Sequence, residues 1–222
     1  MSYLQTKPLT DTWVAASWED YLQASADPAY ATGRGYYYNG HMRIEMLPVG
    51  HDHAAADSAI ALAINLFGIA KNIALKSLSN CTYRKANHQE CQPDISYYIG
   101  PQAQVIPWGT SIVDLNRYPA PDLVIEVSST TLLADQGAKR LLYEDLAVKE
   151  YWIVDVQQGQ ILAFAILPAD PQGGMAEQGS RRIRESQVLP SLAISVLEEA
   201  LQRSRQMDQS QVGAWLLAQF QQ

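Results

Sequence analysis

One stretch of the chain, residues 121–129, carries two carboxylates into a segment that favours a buried β-strand. Its sequence, PDLVIEVSS, contains Leu, Val and Ile between an entering proline and leaving serines. Because successive strand residues point to opposite faces, Asp122, Glu126 and Ser128 share one face. A carboxylate in the middle of a buried strand needs a metal ion, a cation or several hydrogen bonds. The partner of Glu126 is therefore the main question that this sequence raises.

Asp94, at the start of a second predicted strand over residues 93–99, is the better partner for Glu126. Asp122 is too distant to share one ion with Glu126, because four residues of strand span roughly 13 Å. Neighbouring strands lie only about 4.8 Å apart, and two carboxylates that close are costly to ionise without a cation between them. The pattern predicts that Asp94 and Glu126 face each other. The alternative is a hydrogen-bonded turn residue at 94 and an ion-paired core residue at 126.

Lys139 interrupts the apolar stripe of the helix predicted over residues 130–148, directly after the Glu126 strand. Lysines normally lie on solvated faces, so a lysine in an apolar stripe is unusual. The helix must pack back onto the sheet, which can bring the ammonium group to Glu126 and Asp94. The alternative is a salt bridge with Asp135, four residues earlier, worth about 0.2–0.5 kcal/mol.

His53 and Glu45 are weaker candidates for the same site. His53 lies at the start of the helix predicted over residues 54–70, and it approaches the site if that helix covers the same edge of the sheet. Glu45 lies on a hairpin whose Asn-Gly pair favours a two-residue type I′ turn. A structural role is the alternative for both residues, and Tyr143 and Trp152 are predicted to lie in the core.

The remaining segments are predicted from their polarity and turn residues. They are a strand over 75–83, a polar connection over 84–91, an irregular insertion over 100–120, strands over 150–155, 160–167 and 181–185, a loop over 168–179, and helices over 197–206 and 212–220.

Charge and motif content restrict the function. A net charge of -7 and a pI of about 5.0 are not typical of a protein that coats nucleic acid. We expect no signal peptide, because residues 1–11 lack a basic region followed by an apolar one, and no membrane partner, because no apolar run approaches the ~20 residues that span a bilayer. Two cysteines without the paired spacing of a zinc site, Cys81 and Cys91, fit a reduced, cytoplasmic protein. The sequence contains no Gly-x-Ser-x-Gly, no phosphate-binding glycine loop and no His-Glu-x-x-His. The candidate catalytic groups are therefore the carboxylates.

The order of these elements resembles a known family. The elements are the hairpin, Gly50-x-x-His53, a helix, the Pro93-Asp94 strand, the strand over 121–128, a helix with Asp135-x-x-x-Lys139-x-x-x-Tyr143, and a strand over 150–155. Over residues 13–200 they resemble the putative restriction endonuclease family catalogued as domain of unknown function 820, within the PD-(D/E)XK nuclease superfamily. The resemblance implies that Asp94 and Glu126 bind metal. The superfamily's usual lysine, two residues after the glutamate, is Ser128 here, and Lys139 takes the position from which family members supply it.

We therefore expect an α/β fold, with a restriction-endonuclease-like αβββαβ core and a mixed sheet, preceded by a β-hairpin. The expected organisation is an N-terminal arm (1–12), a restriction-endonuclease-like domain (13–206) and a C-terminal helical extension (207–222). The expected function is metal-dependent hydrolysis of DNA phosphodiester bonds. Asp94 and Glu126 hold Mg²⁺ or Mn²⁺, Lys139 is the relocated catalytic lysine, and His53 approaches the site. We also expect a homodimer, because double-strand cutting needs two sites and two-fold dimers are the commonest closed oligomers.

Two other functions stay open. The acidic balance favours a non-catalytic binding or regulatory protein that keeps the nuclease fold, and the same metal site could hydrolyse another phosphate ester. A nuclease needs basic residues beside its cleft to contact phosphates. The candidates are Arg84, Lys85, Arg140, Arg181, Arg182 and Arg184.

Overall fold

The computed structural model describes residues 10–46, 49–167 and 179–221, and within them the chain forms two mixed sheets and their helices. The strands are β1 (Val14–Ala15), β2 (Arg34–Tyr38), β3 (His41–Glu45), β4 (Leu75–Ser79), β5 (Tyr83–Lys85), β6 (Gln89–Cys91), β7 (Ile95–Ile99), β8 (Val113–Asp114), β9 (Leu123–Ser128), β10 (Glu150–Asp155), β11 (Gln160–Leu167) and β12 (Gly179–Arg182). The α-helices are α1 (Trp18–Ala26), α2 (His51–Ala70), α3 (Leu132–Ala134), α4 (Arg140–Asp145), α5 (Ile194–Ser204) and α6 (Gln209–Phe220).

The first sheet, with strand order β12-β11-β10-β9-β7-β4, contains the strand of Glu126 at its centre. Strands β9 and β10 are parallel, and the other neighbours are antiparallel. The predicted α/β class with a mixed sheet is confirmed. Without the strands of the second sheet that lie between them, the chain order is α2, β4, β7, β9, the helices α3 and α4, and β10. The register places Ile95 opposite Ile125, so the next pair along the two strands is Asp94 and Glu126.

The two faces of this sheet bury different sets of residues, as the alternation of β9 predicts. One face packs Ile125 and its neighbours against α2, α5 and α6, with Ile60, Ile64 and Phe67 in the same cluster. By length and composition alone α2 could span a bilayer, yet its buried side chains form this core. The opposite face packs Val124 against α4 and the second sheet. Glu126 shares the face of Val124 and therefore points between the two sheets.

The second sheet, with strand order β1-β3-β2-β6-β5-β8, brings the N-terminal hairpin over the first. Strands β2 and β3 are joined by Asn39 and Gly40, both at positive φ (47° and 70°), so the predicted type I′ turn is confirmed. A two-residue turn fixes the pairing of the strands, and Arg34 consequently lies opposite Glu45.

Two expectations for residues 75–91 are wrong. The strand predicted over 75–83 divides, because β4 ends at Ser79 and Tyr83 begins β5 in the other sheet. The expected polar connection forms the β5–β6 pair, in which Arg84 is opposite Glu90 and ion-paired with it. Glu90 also accepts a hydrogen bond from the Tyr21 hydroxyl at 2.8 Å. Glu90 is buried at no cost in unpaired charge, because Arg84 and Tyr21 bind it. These polar residues can therefore form strands instead of the expected loop. The irregular insertion over 100–120 likewise contributes β8.

The helix predicted over 130–148 is shorter and interrupted. A kink within Asp135–Lys139 separates α3 from α4, because the backbone of Gly137 is not helical (φ -98°, ψ -108°), and the helix ends at Asp145. Both residues that bound this kinked segment are fully buried, Asp135 at 0% and Lys139 at 1% exposure. The interruption therefore lies where the chain directs two charged side chains into the protein.

The proposed domain boundaries stay predictions. Residues 1–9 of the expected N-terminal arm, and residues 168–178 of the expected loop, lie outside the described residues. After the boundary expected at residue 206, α6 packs against α2, with the rings of Phe220 and Phe67 5.1 Å apart.

Candidate active site

Glu126 has four polar contacts although it is only 1% exposed. Its Oε1 accepts a hydrogen bond from the Tyr143 hydroxyl at 2.6 Å, and its Oε2 accepts one from Lys139 Nζ at 3.2 Å. The Tyr36 hydroxyl lies 3.2 and 3.3 Å from the two oxygens. Lys139, which the sequence singled out, is thus in contact with Glu126. Tyr143, expected only to fill the core, also holds this carboxylate.

Lys139 lies among three carboxylates rather than one. Its Nζ is 3.0 Å from Glu45, 3.1 Å from Asp135 and 3.2 Å from Glu126. It also lies 4.1 Å from the centroid of the Tyr36 ring, close enough for a cation–π interaction. The sequence offered two alternative partners for Lys139, the carboxylates of the site and Asp135. Lys139 contacts both Glu126 and Asp135. The charge of its neighbours holds the ammonium group protonated and raises the Lys139 pKa, although burial alone would lower it.

Asp94 lies just before β7 and is 4% exposed. Its Oδ2 accepts the backbone N–H of Val127 at 2.7 Å, which ties the aspartate to the strand of Glu126. Its Oδ1 is ion-paired with Arg34 Nη1 and lies 3.5 Å from His53 Nε2. Burial raises the pKa of Asp94, but the contact with His53 and the charge of Arg34 outweigh it and lower the pKa to about 2.

His53 lies in the first turn of α2 and reaches the site through Asp94. Its Nε2 faces the aspartate, whereas its Nδ1 is buried without a hydrogen-bond partner. The structure therefore brings together Asp94, Glu126, Lys139 and His53, and their roles stay predictions.

Sequence reasoning missed Arg34 and Tyr36, and it favoured a structural role for Glu45. Glu45 accepts a hydrogen bond from Arg43 Nε at 2.8 Å and lies 3.7 Å from Arg34 Nη2 as well as beside Lys139. The predicted hairpin turn could have identified Arg34, because the register that it sets places Arg34 opposite Glu45. The contact of that hairpin with β9 had no local signal.

The pKa of Glu126 is raised to about 8. Burial is the largest cause, Lys139 opposes it, and repulsion by Asp94, Asp135 and Glu45 adds to it. Around the site, the carboxylates of Glu45, Asp94, Glu126 and Asp135 outnumber the cations Arg34, Arg43 and Lys139 by one. A proton on Glu126 or an added cation relieves this excess of negative charge.

A cavity of about 920 Å³ opens beside these side chains. Arg34, Lys139 and Arg205 contribute positive charge to its lining. The six basic residues expected beside a cleft do not line it. Four of them have partners elsewhere: Arg84 pairs with Glu90, Arg140 and Arg182 contact the ring of Phe164, and Arg184 pairs with Glu198. The basic side chains that face the site come instead from the hairpin, the kinked segment Asp135–Lys139 and the end of α5.

The residues present fit a hard divalent cation in donor type. Asp94 and Glu126 provide carboxylate oxygens from opposite positions on neighbouring strands, both line the cavity, and the surroundings carry excess negative charge. Within the described residues no cluster of three or more His, Cys, Asp or Glu side chains is arranged to hold an ion. Two carboxylates are nevertheless a common protein contribution to Mg²⁺, which retains several waters and binds substrate phosphate.

The fold and the site define a mixed α/β protein with paired acidic residues and a buried lysine beside a cavity. A model of the Uma2 family, described as Putative restriction endonuclease, matches residues 18–199. The chain belongs to this family.

The solved structures contain a similar fold. A crystal structure of a putative nuclease of domain of unknown function 820 from Anabaena variabilis has a TM-score of 0.52 and 17% sequence identity with this chain. The similarity covers 83% of this chain and 98% of that one. A search of curated proteins found no match. Membership of the family supports a nuclease, and the similar structure supports the fold.

Proposed function

We propose that the protein is a metal-dependent endonuclease that hydrolyses phosphodiester bonds in DNA. One observation carries the proposal: the carboxylates of Asp94 and Glu126 and the amine of Lys139 converge beside one cavity. Membership of a restriction endonuclease family supports the reaction class. The unneutralised negative charge around Glu126 supports a cation there.

In this proposal Asp94 and Glu126 hold Mg²⁺ or Mn²⁺. When bound, such an ion supplies Lewis-acid chemistry and lowers the pKa of a bound water. Lys139 orients the attacking water or stabilises the charge that develops on the phosphate. Glu45 and Asp135 fix the position of its amine. Tyr143 and Tyr36 fix the carboxylate of Glu126, and His53 positions Asp94.

The proposal is tested by a cleavage assay on supercoiled and single-stranded DNA with Mg²⁺, with Mn²⁺ and with EDTA. We expect metal-dependent cleavage that Asp94→Asn and Glu126→Gln abolish. Asp122→Asn is the matched control, because Asp122 is a buried carboxylate beside β9 that binds Lys149 and the backbone of Ile99 outside the cavity. Equal cleavage by wild type and Glu126→Gln would contradict the proposal.

A non-catalytic DNA-binding or regulatory protein is the second candidate. The observation that favours it is that both acidic residues are already ion-paired within the protein, Asp94 with Arg34 and Glu126 with Lys139. It predicts no cleavage under any metal condition, together with DNA binding that persists in EDTA and weakens with salt. Cleavage of a small chromogenic phosphodiester without cleavage of DNA would instead favour another phosphate ester as the substrate.

A further inference from the structure

Each of the two proposed metal ligands has one cationic partner, and the two cations differ in exposure. Lys139, beside Glu126, is 1% exposed and enclosed by three carboxylates. The side chain of Arg34, beside Asp94, is 16% exposed and lines the cavity. Of the two cations, Arg34 therefore has space into which it can move.

Arg34 occupies the oxygen of Asp94 that a metal ion would need. The other oxygen, Oδ2, is held by the Val127 N–H at 2.7 Å. Oδ1 is bound by Arg34 Nη1, with His53 Nε2 3.5 Å away. Asp94 is only 4% exposed, and a buried carboxylate needs a positive partner in every state of the protein.

A second acceptor for the guanidinium lies within reach. Glu45 is the cross-strand partner of Arg34 in the hairpin, and its Oε2 is 3.7 Å from Arg34 Nη2. A small rotation of the guanidinium can therefore exchange Asp94 for Glu45 without carrying the charge out of the cavity. Arginine suits this position because its guanidinium offers several donors in a fixed plane and can bind two carboxylates.

We infer that Arg34 is the resident counter-ion of Asp94 in the metal-free protein, and that it leaves Oδ1 for Glu45 when a divalent cation binds. The inference rests on the proposed metal site at Asp94 and Glu126. Arg34 therefore competes with the cation and weakens its binding. After the exchange, the guanidinium still lines the cavity and adds positive charge where a phosphate would lie.

The test is calorimetric titration of the DNA-free protein with Mn²⁺. Arg34→Gln should bind Mn²⁺ about 10- to 100-fold more tightly than wild type, the Kd equivalent of losing one charge-assisted hydrogen bond. Arg43→Gln is the matched control. Arg43 is a buried arginine of the same hairpin that pairs with Glu45, and its ion pairs do not include Asp94. Asp94→Asn shows whether the ion binds at the proposed site.

The outcomes separate this inference from the proposed function. Tighter binding in Arg34→Gln but not in Arg43→Gln supports the inference. Equal tightening in both variants shows a general effect of removing a positive charge, and overturns it. Equal Kd in wild type and Arg34→Gln, with binding lost in Asp94→Asn, also overturns it but leaves the proposed metal site standing. Binding that Asp94→Asn does not weaken removes the metal site itself.

A second measurement uses the wild-type protein, in case Arg34→Gln does not fold. A crystal structure with saturating Ca²⁺ should show Ca²⁺ on Asp94 Oδ1 and the guanidinium of Arg34 on Glu45. Ca²⁺ on Asp94 with Arg34 still bound to Oδ1 overturns the inference. Crystals without Ca²⁺ at Asp94 overturn it together with the proposed metal site.

Discussion

The carboxylate of Glu45 lies 3.0 Å from the amine of Lys139 and joins the N-terminal hairpin to the helix that follows β9. The pair is almost fully buried, at 7% and 1% side-chain exposure. Glu45, which was only a weak candidate from the sequence, is therefore in direct contact with the proposed catalytic lysine.

Glu45→Gln should reduce kcat about 10- to 100-fold at saturating Mn²⁺ and should also weaken Mn²⁺ binding. The loss of rate is on the usual scale for residues that orient a site through another group, here Lys139. Binding weakens because Glu45 is the acceptor to which Arg34 moves in the inferred exchange. Steady-state kinetics on DNA with a separate Mn²⁺ titration checks the prediction. Glu45→Asp should recover part of the rate. An unchanged kcat in Glu45→Gln would show that Lys139 does not depend on this contact.

Lys139→Met should abolish cleavage and also destabilise the protein. Removing one partner of a buried ion pair typically costs about 3–5 kcal/mol, because the remaining charge is left uncompensated. Here three carboxylates lose their common partner. Urea unfolding of wild type and variant measures the cost, and single-turnover cleavage measures the activity. Wild-type cleavage in this variant would move the preference to the non-catalytic protein.

The metal-free protein should lose stability as the pH rises towards 8. The pKa of Glu126 is raised from 4.5 to about 8, so its contribution is complete below pH 4.5 and is lost as the pH rises through 8. The limiting slope for one such group is about 1.4 kcal/mol per pH unit. Asp94, with its pKa lowered from 3.8 to about 2, behaves oppositely and loses its contribution as the pH falls through 2.

Urea unfolding in EDTA between pH 6.5 and 8 measures the contribution of Glu126. Asp57, whose pKa burial and Asp94 raise to about 6, contributes mainly below that window. Glu126→Gln should flatten the dependence of the unfolding free energy on pH. Between pH 6.5 and 8 this variant should therefore lose less stability than wild type. Parallel slopes in the two proteins would show that Glu126 does not carry the proton.

The protein should form a two-fold homodimer. Cutting both strands of DNA needs two active sites, and two-fold dimers are the commonest closed oligomers. Light scattering after size-exclusion chromatography should give twice the chain mass of 24.6 kDa. A mass of one chain at all working concentrations would exclude it.

Features that depend on neighbouring residues were predictable from the sequence. Alternation along residues 121–129 placed Glu126 on the face opposite Ile125, and the Asn39-Gly40 turn defined the β2–β3 hairpin. The same local logic paired Asp94 with Glu126, and a lysine inside an apolar stripe identified Lys139. In each case the period of the strand or helix decides which way a side chain points.

Which charged side chains contact each other depends on how distant segments pack. Nothing local shows that the hairpin packs over β9, so the contacts of Arg34 with Asp94 and of Glu45 with Lys139 were not predictable. The division of residues 75–91 between two sheets was not predictable either. It depends on strands and charged partners that are contributed by other segments of the chain. Buried charges are stable only with partners, and those partners come from whichever segments the packing of the two sheets brings together.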